Sequence, residues 1–98
     1  MVENKEQVLG KIKELENKIK TSFRVKNIGL FGSYIKDKQD DKSDLDFLVE
    51  FEDNADLLHF IGLSLFLEDV FRKKVDVVSK HALKEELRER ILQEVIYE

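Results

Sequence analysis

Apolar residues recur at helical spacing near the start of the chain. Val8, Ile12, Leu15 and Ile19, with Lys and Glu between them, predict an amphipathic helix over residues 4–20. The period then changes. Residues 25–31, VKNIGLF, are apolar and partly β-branched and predict a buried strand that ends at Gly32-Ser33. Residues 36–43, KDKQDDKS, predict a polar loop. Residues 44–51, DLDFLVEF, alternate: Leu45, Phe47, Val49 and Phe51 fall on one face, and Asp44, Asp46, Leu48 and Glu50 on the other. That is a strand with one dry face and one face bearing carboxylates.

Asn54 is placed to cap a second helix running to about Arg72, apolar around most of its circumference and so expected to be the central packing element. Residues 74–79, KVDVVS, predict a short strand. Leu83, Leu87, Ile91 and Val95 predict a last amphipathic helix over residues 83–97. The order α-β-β-α-β-α with short connections implies an α/β (α+β) fold, a small mixed sheet of about three strands covered by helices on one side. No repeat, proline or low-complexity run divides the chain, so residues 1–98 are expected to form a single domain.

Charge narrows the function classes. Charged residues make up 39% of the chain with both signs interspersed, which describes a solvated surface rather than a tail. The net charge of −4 argues against direct nucleic-acid binding, which needs a basic footprint, but not against a nucleotide whose charge is neutralised locally. There is no Cys, so thiolate metal sites and disulfides are excluded. The beginning MVENKEQVLG has no apolar signal core, and the apolar run at 57–67 is broken by His59, Gly62 and Ser64. A cytoplasmic protein without membrane contact is expected.

Three features carry candidate chemistry. Gly32-Ser33 directly after a buried strand lets the backbone turn sharply and offers N–H groups to an anion. Asp44 and Asp46 lie two apart on a strand, so both carboxylates share a face, as a Mg²⁺ ion needs while it keeps waters and phosphate oxygens as its other ligands. Asp76 is a lone carboxylate in an apolar strand, costly there unless paired or bound to a cation. Each alone has a plain alternative: a turn, a solvated strand face, an exposed edge residue. Glu50 shares the aspartates' face but suits a salt bridge better than ligation, and neither His59 nor His81 belongs to a nucleophilic triad.

Gly32-Ser33, ten residues, then Asp44-Leu45-Asp46 resembles the signature of the DNA polymerase beta nucleotidyltransferase superfamily. The stretch LFGSYIKDKQDDKSDLDFLVEF, and later KVDVVSKHALKEELRERILQEVIYE, resembles its minimal nucleotidyltransferase (MNT) branch, over nearly the whole chain from Val25. The resemblance implies that Gly32 and Ser33 hold the triphosphate of ATP. It implies that Asp44 and Asp46 hold two Mg²⁺ ions, with Asp76 as the third metal-binding carboxylate, beside the attacking hydroxyl. It further implies an antitoxin role, with AMP moved from ATP to a tyrosine of a HEPN-type toxin encoded alongside. The alternative is a non-catalytic antitoxin that masks its partner by binding. One departure is visible: where the family often shows a small residue and then Arg-Gly, this chain has Ile35, Lys36 and Asp37. Lys36 keeps the charge without the bidentate fork, and Asp37 adds a negative charge near the phosphate site.

Overall fold

The computed structural model describes residues 4–32, 44–83 and 85–97, the side chain of Leu87 aside. Asn4 opens the first helix with a reciprocal cap: its side chain accepts from the Gln7 N–H at 2.8 Å, and the Gln7 side chain accepts from the Asn4 N–H at 2.9 Å. Helix α1 spans Lys5–Glu14 and α2 spans Glu16–Phe23. The single helix expected over 4–20 is therefore broken at Leu15, whose φ and ψ of −98° and 5° leave the helical region. The apolar stripe survives the break, because Val8, Ile12 and Ile19 are all buried.

Strand β1, Val25–Phe31, runs antiparallel to β2, Leu45–Phe51. Helix α3, Leu57–Phe71, crosses over to β3, Val75–Ser79, which lies parallel to β2. A single 3-10 turn, Lys80–Ala82, leads to α4, Glu85–Glu94. One sequence expectation is corrected here. The cap of α3 is Asp56, not Asn54: Asp56 accepts from the His59 N–H at 3.1 Å and its own N–H donates to His59 Nδ1 at 3.1 Å. Residues 53 and 54 instead belong to a turn closed by the Ala55 N–H donating to the Glu52 carbonyl.

The last helix also stops short of residue 97. Ile96–Tyr97 form a fourth strand, β4, antiparallel to β1 through Leu30 and Gly29, so the sheet order is β3-β2-β1-β4. Gly29 makes the room for it. A Cβ there would lie 2.6 Å from Val95 Cγ2 and 3.1 Å from the Ile96 carbonyl oxygen.

Helices α1, α2 and α3 cover one face of the sheet, where Val8, Ile12, Ile19, Leu63, Leu67 and Phe71 pack on the inward residues of the strands. Inward residues of β2 are Leu45, Phe47, Val49 and Phe51, the alternation read from the sequence. Burial of such side chains contributes about 1.5–3 kcal/mol each. Helix α3 is central only on that inner side. Its outer side carries Leu57, Leu58, Ile61 and Leu65, all exposed. The second face of the sheet carries Asp46, Leu48 and Glu50 of β2, with Leu48 buried beside Gly29 and outside the main core.

Candidate active site on the second face of the sheet

Strand register decides which carboxylates meet. Asp46 pairs with Asp76 across the parallel ladder and with Phe31 across the antiparallel one. Register partners point to the same face, and adjacent strands lie about 4.8 Å apart, so Asp46 and Asp76 are direct neighbours. Asp44 is two residues before Asp46 and just outside β2. Both Asp76 and Asp44 act electrostatically on Asp46. All three sequence-predicted aspartates thus gather at one end of the second face, where β1 ends and β2 and β3 begin.

The burden of desolvation is not where the sequence placed it. Asp76, expected to be the costly buried charge, is exposed, as is Asp44. Asp46 is the half-buried one, and its pKa is pushed up to about 6, first by burial and then by the negative charges of Asp76 and Asp44. Strand neighbours on both sides, β1 and β3, remove part of the contact of Asp46 with water.

Gly32 is the fourth component. Its φ of +83° lies in the region that L side chains rarely adopt. A Cβ at Gly32 would also fall onto the Asp46 carboxylate, against Oδ2, with Cγ at 3.0 Å. Gly32 therefore both turns the chain off β1 and makes room for the Asp46 carboxylate, which takes up the place a Cβ would occupy and so lies against the bare backbone at the end of β1. Ser33, Tyr34, Ile35, Lys36, Asp37 and the loop at 36–43 lie outside the described residues.

The donor set suits a hard divalent cation: carboxylate oxygens only, with mutual repulsion that a cation relieves. Among the described residues no three carboxylate or imidazole groups are already closed around a metal-sized point. Mg²⁺ does not need such a cage. It is held by one or two carboxylates and completes its shell with water and substrate phosphate oxygens.

The same strand face carries a different arrangement at its other end. Glu50 accepts from Asn27 Nδ2 at 3.1 Å and faces Lys80 Nζ at 3.9 Å. That Asn27 hydrogen bond, helped by the charges of Lys80, Lys26 and His81 and opposed by burial, holds Glu50 below the usual carboxylate range. Glu50 is a salt-bridged structural residue, as the sequence suggested. Its partners Asn27 and Lys80, and the edge-strand Tyr97, carried no sequence signal beyond strand alternation. His59 serves the α3 cap, and His81 is exposed in the 3-10 turn. An open groove of about 500 Å³ lies away from the aspartates, lined by Phe51, Ala55 and Phe60 together with Glu52, Asp53, Asp56 and His81. No helix among the described residues is long and apolar enough to cross a membrane.

Comparison with known proteins agrees with this fold. The chain is 39% identical over 82 residues to the protein adenylyltransferase MntA of Thermococcus cleftensis, covering 84% of this chain and 83% of that one. Its fold superimposes on a solved structure assigned as a minimal nucleotidyltransferase with a TM-score of 0.80, at 33% identity over 92% of both chains. Two more distant structures share the fold. One is a toxin-antitoxin complex with AMP-PNP, at TM-score 0.71 and 23% identity over 87% of this chain and 70% of that one. The other is a tri-AMPylated HEPN toxin of Shewanella oneidensis in complex with an MNT antitoxin, at TM-score 0.67 and 22% identity over 94% and 69%. The family described as Polymerase beta, Nucleotidyltransferase matches residues 13–98, which include Gly32 and all three aspartates. The chain is a nucleotidyltransferase and belongs to that family.

Proposed function

We propose that this chain is a Mg²⁺-dependent protein adenylyltransferase that moves AMP from ATP to a tyrosine hydroxyl of a HEPN-type toxin, acting as its antitoxin. The observation that carries the reading is the half-buried Asp46, flanked by Asp44 and Asp76 and roofed by a glycine with no side chain. A lone structural carboxylate would not be placed between two others; a site for cation-bound phosphate requires it. The relative of known name and the AMPylated complex of the same fold support the donor and the acceptor.

The roles of the residues follow from their positions. Asp44 and Asp46 would hold Mg²⁺, two ions in the full site, and the metal would supply charge neutralisation for the triphosphate and the leaving pyrophosphate. Gly32 and Ser33 position the phosphates through backbone approach and a hydroxyl donor. The acceptor oxygen bonds to the α-phosphorus as the bond from that phosphorus to the α–β bridging oxygen breaks, and pyrophosphate leaves with the electron pair. Asp76, exposed on the neighbouring strand, orients the hydroxyl and takes up its proton. Incubation of the partner with the chain and Mg·ATP, followed by intact-mass measurement, is expected to show added AMP. The addition is expected to vanish in Asp44→Asn.

A second reading has one observation in its favour. The bare apolar side of α3 offers a docking face that needs no chemistry, as a masking antitoxin would use. Equal neutralisation of the toxin by wild type and Asp44→Asn, with no mass added, would establish masking instead.

A further inference from the structure

We propose that the outer face of α3 and the groove beside its N-terminus dock a surface of the protein partner that carries apolar side chains flanked by Lys or Arg, with those basic side chains meeting Glu52 and Asp53. This rests on the reading above that the partner is a protein. Leu57, Leu58, Ile61 and Leu65 are 70%, 76%, 44% and 62% exposed. At spacings of three and four they form one stripe along the helix. Together they present roughly 400 Å² of apolar surface, the size of patch that marks an interaction site. That is about half of what each partner gives to a stable interface, so the flanking groove completes the area.

Stripe and groove are continuous, because Leu57 belongs to both. The groove lining combines Phe51, Ala55 and Phe60 with three carboxylates against one histidine, His81, which fits the aliphatic stem and cationic head of Lys or Arg. Among the described residues the side chains of Glu52 and Asp53 make no ion pair or hydrogen bond, so their charge is available to an incoming cation. A second copy of this chain fits these carboxylates poorly. Antiparallel pairing about Ile61 brings Asp69 of one copy toward Asp53 of the other, eight residues either side of the centre, and Arg72 beyond it offsets this only in part. Parallel pairing sets the acidic ends against each other.

The stripe lies on the helix-covered side of the sheet, and the aspartates lie on the other side. Docking and chemistry are therefore separable. The test uses the full chain and the HEPN-type protein encoded beside it, with binding measured calorimetrically in an Asp44→Asn background so that no transfer intervenes. Leu58→Glu with Leu65→Glu is expected to weaken binding at least about 30-fold while Mg·ATP affinity in the otherwise wild-type chain changes less than twofold. Glu52→Lys with Asp53→Lys is expected to weaken it about 5–10-fold and to flatten its salt dependence. In transfer assays the Leu pair should raise KM for the partner and leave kcat nearly unchanged. Unchanged binding by the folded Leu-pair variant overturns the proposal. So does a wild-type dimer that the same pair converts to monomer, because a second copy then covers the stripe, and so does absence of binding by the wild type. Stripe-dependent binding without AMP transfer overturns the proposed activity and leaves this surface intact.

Discussion

Asp46 and Glu50 sit four residues apart on the same face of the same strand, yet their surroundings push them in opposite directions. Glu50 receives an amide hydrogen bond and lies near the charges of Lys80, Lys26 and His81, which hold its pKa below the usual carboxylate range. Asp46 has two carboxylate neighbours and half-burial, and its pKa rises to about 6. One end of the face is satisfied by the protein itself. The other is left with uncompensated negative charge, and in the proposed function a nucleotide with its metal would offset it. The lesson is that composition and exposure do not separate a structural carboxylate from a catalytic one; the neighbours do.

The largest expected break of this contrast is chemical. Asp46→Asn or Asp44→Asn should lower AMP transfer by about 10³-fold or more, as removal of metal ligands does, whereas Glu50→Gln should change it less than about threefold. Quantitative mass spectrometry of the partner checks both. Next, Gly32→Ala should cost binding of Mg·ATP at least about 30-fold, since the added methyl meets Asp46 Oδ2 and the φ of +83° is strained for alanine. Unlike a simple cradle defect, it should also lower the melting temperature of the nucleotide-free chain.

Stability gives the contrast an opposite sign. In the absence of metal, Asp46→Asn should stabilise the protein at pH 7 by about 1–2 kcal/mol, an amount reduced from the full shift because Asp46 is only half-buried. Glu50→Gln should destabilise it by less than about 1 kcal/mol. Urea denaturation measures both. The pH dependence follows. The native state holds the Asp46 proton between its ordinary value of 3.8 and about 6, so this group makes the chain lose stability as pH rises across that window. Glu50, with its lowered pKa, contributes stability that is present above its ordinary value and lost as pH falls. Added Mg·ATP should raise the wild-type melting temperature at pH 7 and leave that of Asp46→Asn nearly unmoved. The smallest effect expected is Ser33→Ala, which should weaken Mg·ATP by the loss of one hydrogen bond, about 0.5–1.5 kcal/mol.

Much of this was readable from the chain because strand alternation is a strict geometric rule. Leu45, Phe47 and Val49 had to face opposite to Asp44 and Asp46, and the buried set confirms it. Residue pattern could not say that Asp76 would be exposed and Asp46 half-buried, since that depends on which strand lies in the middle of the sheet. The end of α4 was also invisible. Ile96 and Tyr97 continue a helical spacing, but the bare backbone of Gly29 allows them to pair as a strand instead. The outer side of α3 was legible only as hydrophobicity; the sequence could not tell a leucine that packs from one that waits for a partner.

The place of β2 between β1 and β3 has a dynamic consequence. Its amides are bonded on both sides, so those around Asp46 should be among the last to exchange with deuterium, releasing only when the whole domain opens. Strand β3 is paired on one side alone, so Asp76 rides on an edge that can loosen by itself. Under the proposed function, the anchoring carboxylate would thus be held in a strand paired on both sides, while the carboxylate beside the acceptor would sit on an edge strand with freedom to adjust. A bound nucleotide that bridges them should slow exchange in β3 far more than in β2, whose protection is already set by the fold.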